Sequence, residues 1–149
     1  MGDISVKIDG VYMVGTRIQP VPVVLLSDVQ GNSVPIYVGV AEAISINSAL
    51  HKETTPRPMT HDLMISLIDC LDGVIERILI DDLDEGVYYA RLFITKNGSL
   101  SELDARPSDC IALALRSDAE VFVTESVFEN ASLDTEELKK LKRDSITGL

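Results

Sequence analysis

The sequence predicts an α+β fold with a mixed or antiparallel sheet core, helices packed on that core and a peripheral C-terminal helix. Two observations carry this prediction. Strand-like and helix-like apolar periods follow one another along the chain. A unit of a β-hairpin, a further strand and a helix also occurs twice. The 149 residues fit one domain over 1–130, followed by a helical tail over 131–149.

The first half of the chain carries strand and turn signals before its helix. The predicted order is a strand (4–14), a second strand (23–26), a hairpin turn (30–32), a third strand (34–38) and a helix (41–50). Ile4, Val6 and Ile8 alternate with polar residues, as in a half-buried strand. The helix has no breaker and places Ala43 and Ile46 on one apolar face.

The second half opens with a helix for which Thr60 is the predicted N-cap and Gly73 the stop. Its predicted apolar stripe is formed by Leu63, Leu67, Ile68 and Leu71. The elements predicted to follow are a strand (74–80), an acidic turn (81–86), a strand (87–95), a hairpin turn (96–98), a strand (100–103), a helix (107–116) and a last strand (120–124). Pro107 suits the first position of its helix.

The tail contains a short helix over 134–143. Asp134 and Glu137 form a capping-box pattern, and acidic residues precede basic ones as the helix dipole favours. The basic end of this segment is therefore interpreted as a helix end rather than as a nucleic-acid patch.

The two repeats, about 4–50 and 68–117, align with an offset of 67 residues from Gly31 to Gly98. The offset pairs Glu42 with Asp109, each in the first turn of its helix. Chance similarity of two amphipathic segments is the alternative. If the duplication is real, a pseudo-twofold packing brings equivalent positions together.

Charge and cysteine content restrict the function classes. The net charge is −11, from 13 basic and 24 acidic residues, so a broad basic groove for nucleic acid is excluded. Cys70 and Cys110 lie in helical patterns and are expected to be buried free thiols. No signal peptide and no apolar stretch near the roughly 18 residues of a membrane span is found. A cytoplasmic location without membrane association is expected.

Three motifs are dense in reactive side chains: Val38-Gly39-Val40-Ala41-Glu42-Ala43, Arg57-Pro58-Met59-Thr60-His61-Asp62-Leu63 and Asp104-Ala105-Arg106-Pro107-Ser108-Asp109. With the stretch Tyr88-Tyr89-Ala90-Arg91-Leu92, they resemble the signature of the bifunctional nuclease family over about residues 5–128. The resemblance implies an α+β domain with an internal repeat. It also implies RNase and DNase activity, reported for plant members with little substrate preference.

The motif residues suit phosphodiester hydrolysis, with RNA or DNA as the substrate in weak, local contact. The predicted catalytic residues are Glu42, His61, Asp62 and Asp109. The predicted substrate-binding residues are Arg57, Thr60, Arg106 and Ser108. Imidazole is an acid or base near neutral pH, and guanidinium binds phosphate. Carboxylates of Glu42, Asp62 and Asp109 would bind Mg²⁺ or Mn²⁺.

Structural alternatives stay open for each of these residues. The acids would also favour helix dipoles or caps, the arginines would form ion pairs with Asp62, Asp104 or Asp109, and His61 would be a structural hydrogen-bonding group. A Ser-His-Asp triad is not expected. The alternative functions are a non-enzymatic regulatory, ligand-binding or partner-binding module and a structural homo-oligomer. A homodimer or higher homo-oligomer is among the expected partners.

Overall fold

One mixed sheet organises the computed structural model, which describes residues 2–146. Its strands are β1 (Ile4–Val14), β2 (Val21–Ser27), β3 (Ser33–Tyr37), β4 (Val74–Asp84), β5 (Val87–Lys96), β6 (Ser99–Ala105) and β7 (Glu120–Val123). They lie in the order β3-β2-β1-β7-β4-β5-β6, and the two-residue β8 (Ser145–Ile146) pairs with β1. The helices are α1 (Val40–Leu50), α2 (Thr60–Cys70), α3 (Pro107–Ser117), α4 (Glu125–Ala131) and α5 (Thr135–Arg143). The predicted α+β class is confirmed.

The sheet consists of two antiparallel meanders on either side of β7. Strands β1, β2 and β3 form one meander, and β4, β5 and β6 form the other. Strand β7 is antiparallel to β1 and parallel to β4, so the sheet is mixed. Each meander is followed by a helix, α1 or α3. This arrangement is compatible with the predicted duplication.

Turn residues with positive φ determine where the strands of the second meander end. The hairpin turn predicted over 96–98 is a two-residue turn in the structure, and Asn97 and Gly98 both have the positive φ that such a turn requires. The turn before β5 is shorter than the predicted acidic turn over 81–86. Strand β4 continues to Asp84, because Glu85 and Gly86 alone adopt positive φ and reverse the chain.

The core lies between the sheet and helices α1 and α3. Strand β2 is buried on both faces from Pro22 to Leu26. Helix α3 contacts β4, β5 and β7 as well as α1 and α2. Six of its residues are therefore buried, with Ile111 fully inaccessible to solvent.

Helix α2 differs from its prediction in which face is covered. Leu63, Leu67 and Leu71 are exposed rather than core residues, and Ile68 packs at the edge of the core. Cys70 is likewise exposed, whereas Cys110 is buried as expected. The covered face of α2 instead carries the buried His61 together with Met64, Ile65 and Ile68, which pack against the core.

The C-terminal part of the described chain packs on both meanders, since α4 contacts β3 and β4 and α5 contacts β1. Helix α4 was not predicted; Thr124 caps it by accepting a hydrogen bond from the Val127 amide. Helix α5 has the predicted capping box of Asp134 and Glu137 and no buried residue, so it is peripheral. Met1 and residues 147–149, at the ends of the predicted domain and tail, lie outside the described residues.

No helix within residues 2–146 is both long enough and apolar enough to cross a bilayer. The predicted homo-oligomer, which a single chain does not test, stays a prediction.

Candidate functional site

The first turns of α1 and α3 meet at one guanidinium group. Arg106 is the N-cap residue of α3, directly before Pro107 at the first helical position. Its Nε and Nη2 donate to the two carboxylate oxygens of Asp109 at 2.9 and 3.1 Å, and its Nη1 donates to Glu42 Oε1 at 3.3 Å. The two acids that the predicted duplication pairs therefore share one arginine. The Arg106 side chain is 63% exposed, so this group remains in contact with water.

His61 connects the three helices beneath that arginine. It is the buried residue of α2 and is only 8% exposed. The ring Nε2 lies 2.9 Å from Asp109 Oδ1 on α3, and Nδ1 lies 2.6 Å from Ser45 Oγ on α1. Because a carboxylate only accepts hydrogen bonds, Nε2 carries a proton, and a neutral ring then accepts the Ser45 hydroxyl at Nδ1. Direct contact of His61 with a substrate is blocked in this arrangement.

Asp109 is held in its ionised form. Burial acts to raise the pKa of Asp109, but hydrogen bonds from Arg106 and His61 outweigh it and hold the pKa below its ordinary value. The same contact raises the pKa of Arg106, which donates to Asp109. The pair therefore stays charged at neutral pH.

Two cavities open on either side of Arg106. The first, of about 310 Å³, is lined by Glu42, Ser108 and Tyr37 among others. The second, of about 540 Å³, is lined by Asp109 and Tyr89 among others. Both are lined by Val87, Tyr88 and Arg106, so Arg106 lies at the boundary between two solvent-accessible cavities.

Asp62 belongs to a separate group on the other side of His61. Its Oδ1 accepts from Arg116 Nε at 2.8 Å, and its Oδ2 accepts from the Met59 amide at 2.9 Å. The Arg116 hydrogen bond, followed by the Met59 amide, holds the pKa of Asp62 below its ordinary value. Arg116 also donates to the Ser45 carbonyl at 3.3 Å. Asp62 therefore fixes α2 against α1 and α3 rather than joining Glu42 and Asp109.

The remaining predicted residues are unevenly placed. Ser108 is buried beside Arg106 in the first turn of α3. Thr60 is exposed and is the first residue of α2, whose N-cap is Met59 and not Thr60 as predicted. Arg57 is exposed in the preceding loop, and its guanidinium makes no ion pair within residues 2–146. Of the two predicted phosphate-binding arginines, only Arg106 reaches the cluster.

The predicted metal ligands are not assembled around one point. Within the part of the chain that the structure describes, no three His, Cys, Asp or Glu side chains are grouped to hold a metal ion. Glu42 and Asp109 share the Arg106 guanidinium where a cation would lie, and Asp62 is bonded to Arg116. These residues therefore do not fit a three-carboxylate magnesium or manganese site in this arrangement.

Two residues that bond the predicted site residues were missed by sequence reasoning, Ser45 at His61 and Arg116 at Asp62. Ser45 and Arg116 lie in helices α1 and α3 outside the three motifs, and no local pattern marks them. Ser45, His61 and Asp109 form a hydrogen-bonded chain, with Asp109 at Nε2 and Ser45 at Nδ1 of the buried ring. The expectation that no catalytic Ser-His-Asp triad is present stays a prediction.

Replacing Asp109 by asparagine is expected to lower the free energy of unfolding at pH 7 by about 1–3 kcal/mol, since the buried His61 loses its charged acceptor. The folded-state pKa of Asp109 is depressed below 3.8, so its contribution is present above that pH and is lost as the pH falls through the lower, folded-state value. Urea unfolding of wild type and Asp109→Asn across this range should therefore show a stability difference that closes in acid. A difference that is constant with pH, or an equal effect of the exposed Asp84→Asn, would contradict this assignment.

Comparison with known proteins places this geometry in a family. Residues 24–136 match the model of the bifunctional nuclease domain. The chain is 39% identical over 127 residues to uncharacterized protein Rv1829 of Mycobacterium tuberculosis strain H37Rv, covering 83% of this chain and 76% of that protein. It is 28% identical over 102 residues to bifunctional nuclease 1 of Oryza sativa subsp. japonica, covering 66% of this chain and 31% of the rice protein. Bifunctional nuclease 2 of the same rice is 28% identical over 112 residues, covering 73% and 34%.

The chain thus spans about a third of the length of the rice proteins and most of the mycobacterial one. The family match covers 113 residues, from 24 to 136, and includes all three motifs and every residue of the Arg106 cluster. The chain belongs to the bifunctional nuclease domain family.

Proposed function

We propose that the protein hydrolyses phosphodiester bonds in RNA or DNA with low sequence specificity, at the cluster of Glu42, Arg106 and Asp109. The observation that carries the proposal is the exposed guanidinium of Arg106, fixed by two carboxylates at the boundary of two cavities. Family membership supports a phosphodiester substrate, because the rice relatives bear the name bifunctional nuclease.

Arg106 is the phosphate-binding group of this proposal. A guanidinium has five N–H donors, and three are used by Glu42 and Asp109. The two that remain belong to Nη1 and Nη2, where they can bond phosphate oxygens. Preorganised donors of this kind stabilise the charge that develops on the oxygens during attack at phosphorus.

Glu42 is the proposed base. Its carboxylate lines the first cavity and makes one long hydrogen bond to Arg106, so it retains free lone pairs. As a water oxygen forms its bond to phosphorus, Glu42 takes the water proton and the bond from phosphorus to the leaving oxygen breaks. The leaving oxygen takes a proton from solvent.

His61 acts through Asp109 in this proposal and is a positioning residue. The Nε2–H bond to Asp109 fixes the carboxylate that orients Arg106, and the Ser45 hydroxyl fixes the ring. Loss of the imidazole would therefore misplace the guanidinium without removing a group that touches the substrate.

The divalent cation stays a prediction from the sequence. No step above depends on it, because the carboxylates that were expected to bind it are engaged with Arg106 and Arg116. Cleavage assays in Mg²⁺, Mn²⁺ or EDTA measure the requirement directly.

The test of the proposed base is cleavage of end-labelled RNA and DNA by Glu42→Gln. Glutamine keeps the shape but cannot take the proton, so the rate is expected to fall by about 100-fold, as general bases contribute roughly that much or more. Glu102→Gln is the matched control, since Glu102 also accepts from one arginine, Arg91, and is exposed.

Equal rates for wild type, Glu42→Gln and Glu102→Gln would mean that the cleavage comes from another site or from a contaminant.

A second candidate function, binding without turnover, is favoured by the complete pairing of the His61 ring. Tight nucleic-acid binding with no cleavage in any cation would select that function instead.

A further inference from the structure

The two cavities beside Arg106 are bordered by aromatic rings. The first cavity is lined by Tyr37 and Tyr88, and the second by Tyr88 and Tyr89. Three of the four tyrosines of the chain therefore lie around one guanidinium. Apolar side chains complete both spaces, with Val38 and Pro107 in the first and Met64 and Leu103 in the second.

Two of these rings face solvent to an unusual degree. Tyr37 is 58% exposed and Tyr89 is 44% exposed, and within residues 2–146 they are the exposed large aromatic side chains. The third ring, Tyr88, is half-buried between the cavities, and burial followed by the charge of Tyr37 raises its pKa. Exposed tyrosines with a polar tip and an apolar body are typical of binding surfaces.

The charge balance limits how a polyanion can be held here. The positive charge of Arg106 is offset by Glu42 and Asp109, and the whole chain has a net charge of −11. We therefore expect little affinity from neutralising several phosphates, and Arg106 has free donors for one phosphate. The remaining affinity must come from contacts with the bases.

We infer that the substrate is single-stranded nucleic acid, with one unpaired nucleoside in each cavity and the intervening phosphate at Arg106; the position of the phosphate rests on the proposed function. The cavity volumes of about 310 and 540 Å³ are of the size of small-ligand pockets. Stacking on aromatic rings is tolerant of sequence, because every base has a π-face. It is also restricted to unpaired bases, since the faces of a base in a duplex are covered by its neighbours.

The test is equilibrium binding of short fluorescent RNA and DNA strands with non-hydrolysable phosphate linkages, and of duplexes with the same composition and linkages. The single strands are expected to bind at least about tenfold more tightly than the duplexes. Tyr37→Leu is expected to weaken single-strand binding by about tenfold, whereas Tyr37→Phe retains the ring and the affinity. Tyr12→Leu is the matched control, because Tyr12 lies on β1 and bonds Asp9 away from both cavities.

The salt dependence of the binding constant is a second test of the same complex. With one phosphate bonded, the logarithm of the binding constant should fall with the logarithm of salt concentration with a slope of about −0.7. Several bonded phosphates would give a proportionally steeper slope and would overturn the inference.

Equal affinity for strands and duplexes, or equal affinity of Tyr37→Leu and Tyr12→Leu, would also overturn it. These outcomes separate the inference from the proposed function. Cleavage that is indifferent to Tyr37 overturns the inference alone, and Tyr37-dependent single-strand binding without cleavage supports it while overturning the proposed hydrolysis.

Discussion

Arg106→Ala is expected to reduce the rate of RNA or DNA cleavage by about 100-fold or more, the usual loss when one preorganised donor to a developing oxyanion is removed. The side chain is exposed and its removal leaves no cavity in the core, so the protein should remain folded. Arg106→Lys should retain only part of the activity, because an ammonium is a point charge that cannot bond Asp109, Glu42 and a phosphate in one plane.

Arg91→Ala is the matched control for this experiment. Arg91 is also about half exposed and also bonds two carboxylates, with Nε 2.7 Å from Asp81 and Nη1 3.1 Å from Glu102. A surface substitution of this kind should change the rate by roughly twofold at most. If Arg106→Ala and Arg91→Ala behave alike, the activity does not reside at the Arg106 cluster.

Ile111→Ala is expected to lower the free energy of unfolding by about 2–5 kcal/mol. Ile111 is fully buried in α3, the helix that lies against β4, β5 and β7 and contacts α1 and α2. The truncation removes apolar burial and leaves a cavity that the surrounding elements cannot close. Against a total stability of roughly 5–15 kcal/mol, this is a severe loss.

Urea unfolding followed by circular dichroism measures this change as a lower midpoint. Leu67→Ala on α2 is the matched control, because Leu67 is 52% exposed and should change stability by about 0.5 kcal/mol at most. A large effect of Leu67→Ala would mean that the outer face of α2 is covered in solution, which would contradict the exposure of Leu67 in the single chain.

The sequence predicted the local parts of this structure well. The Asn97-Gly98 turn, the start of α3 at Pro107 and the capping box of α5 each depend on residues close together in the chain, and all are confirmed. The offset of 67 residues placed Glu42 and Asp109 in equivalent first turns, and the structure joins both to Arg106.

The parts that failed depend on how separate elements pack. The spacing of the leucines in α2 predicts a core-facing stripe, but the face that is covered carries His61 and Met64 instead, and His61 bonds Asp109 of α3. The contact of Ser45 with His61 joins α1 to α2 across 16 residues of chain, and no local signal encodes it. Asp62 and Asp109 are both carboxylates of the reactive motifs, and the sequence therefore predicts one site for them. In the structure, Asp62 is bonded instead by Arg116 at the far end of α3.

The most direct measurement is the NMR signal of the Arg106 Nε–H group during titration with a dinucleotide that contains a non-hydrolysable phosphate linkage, assigned with the Arg106→Lys variant. The account predicts that the Arg106 signal shifts with saturation while the Arg91 signal stays in place. An unchanged Arg106 signal at saturating dinucleotide, or equal shifts at both arginines, would contradict it.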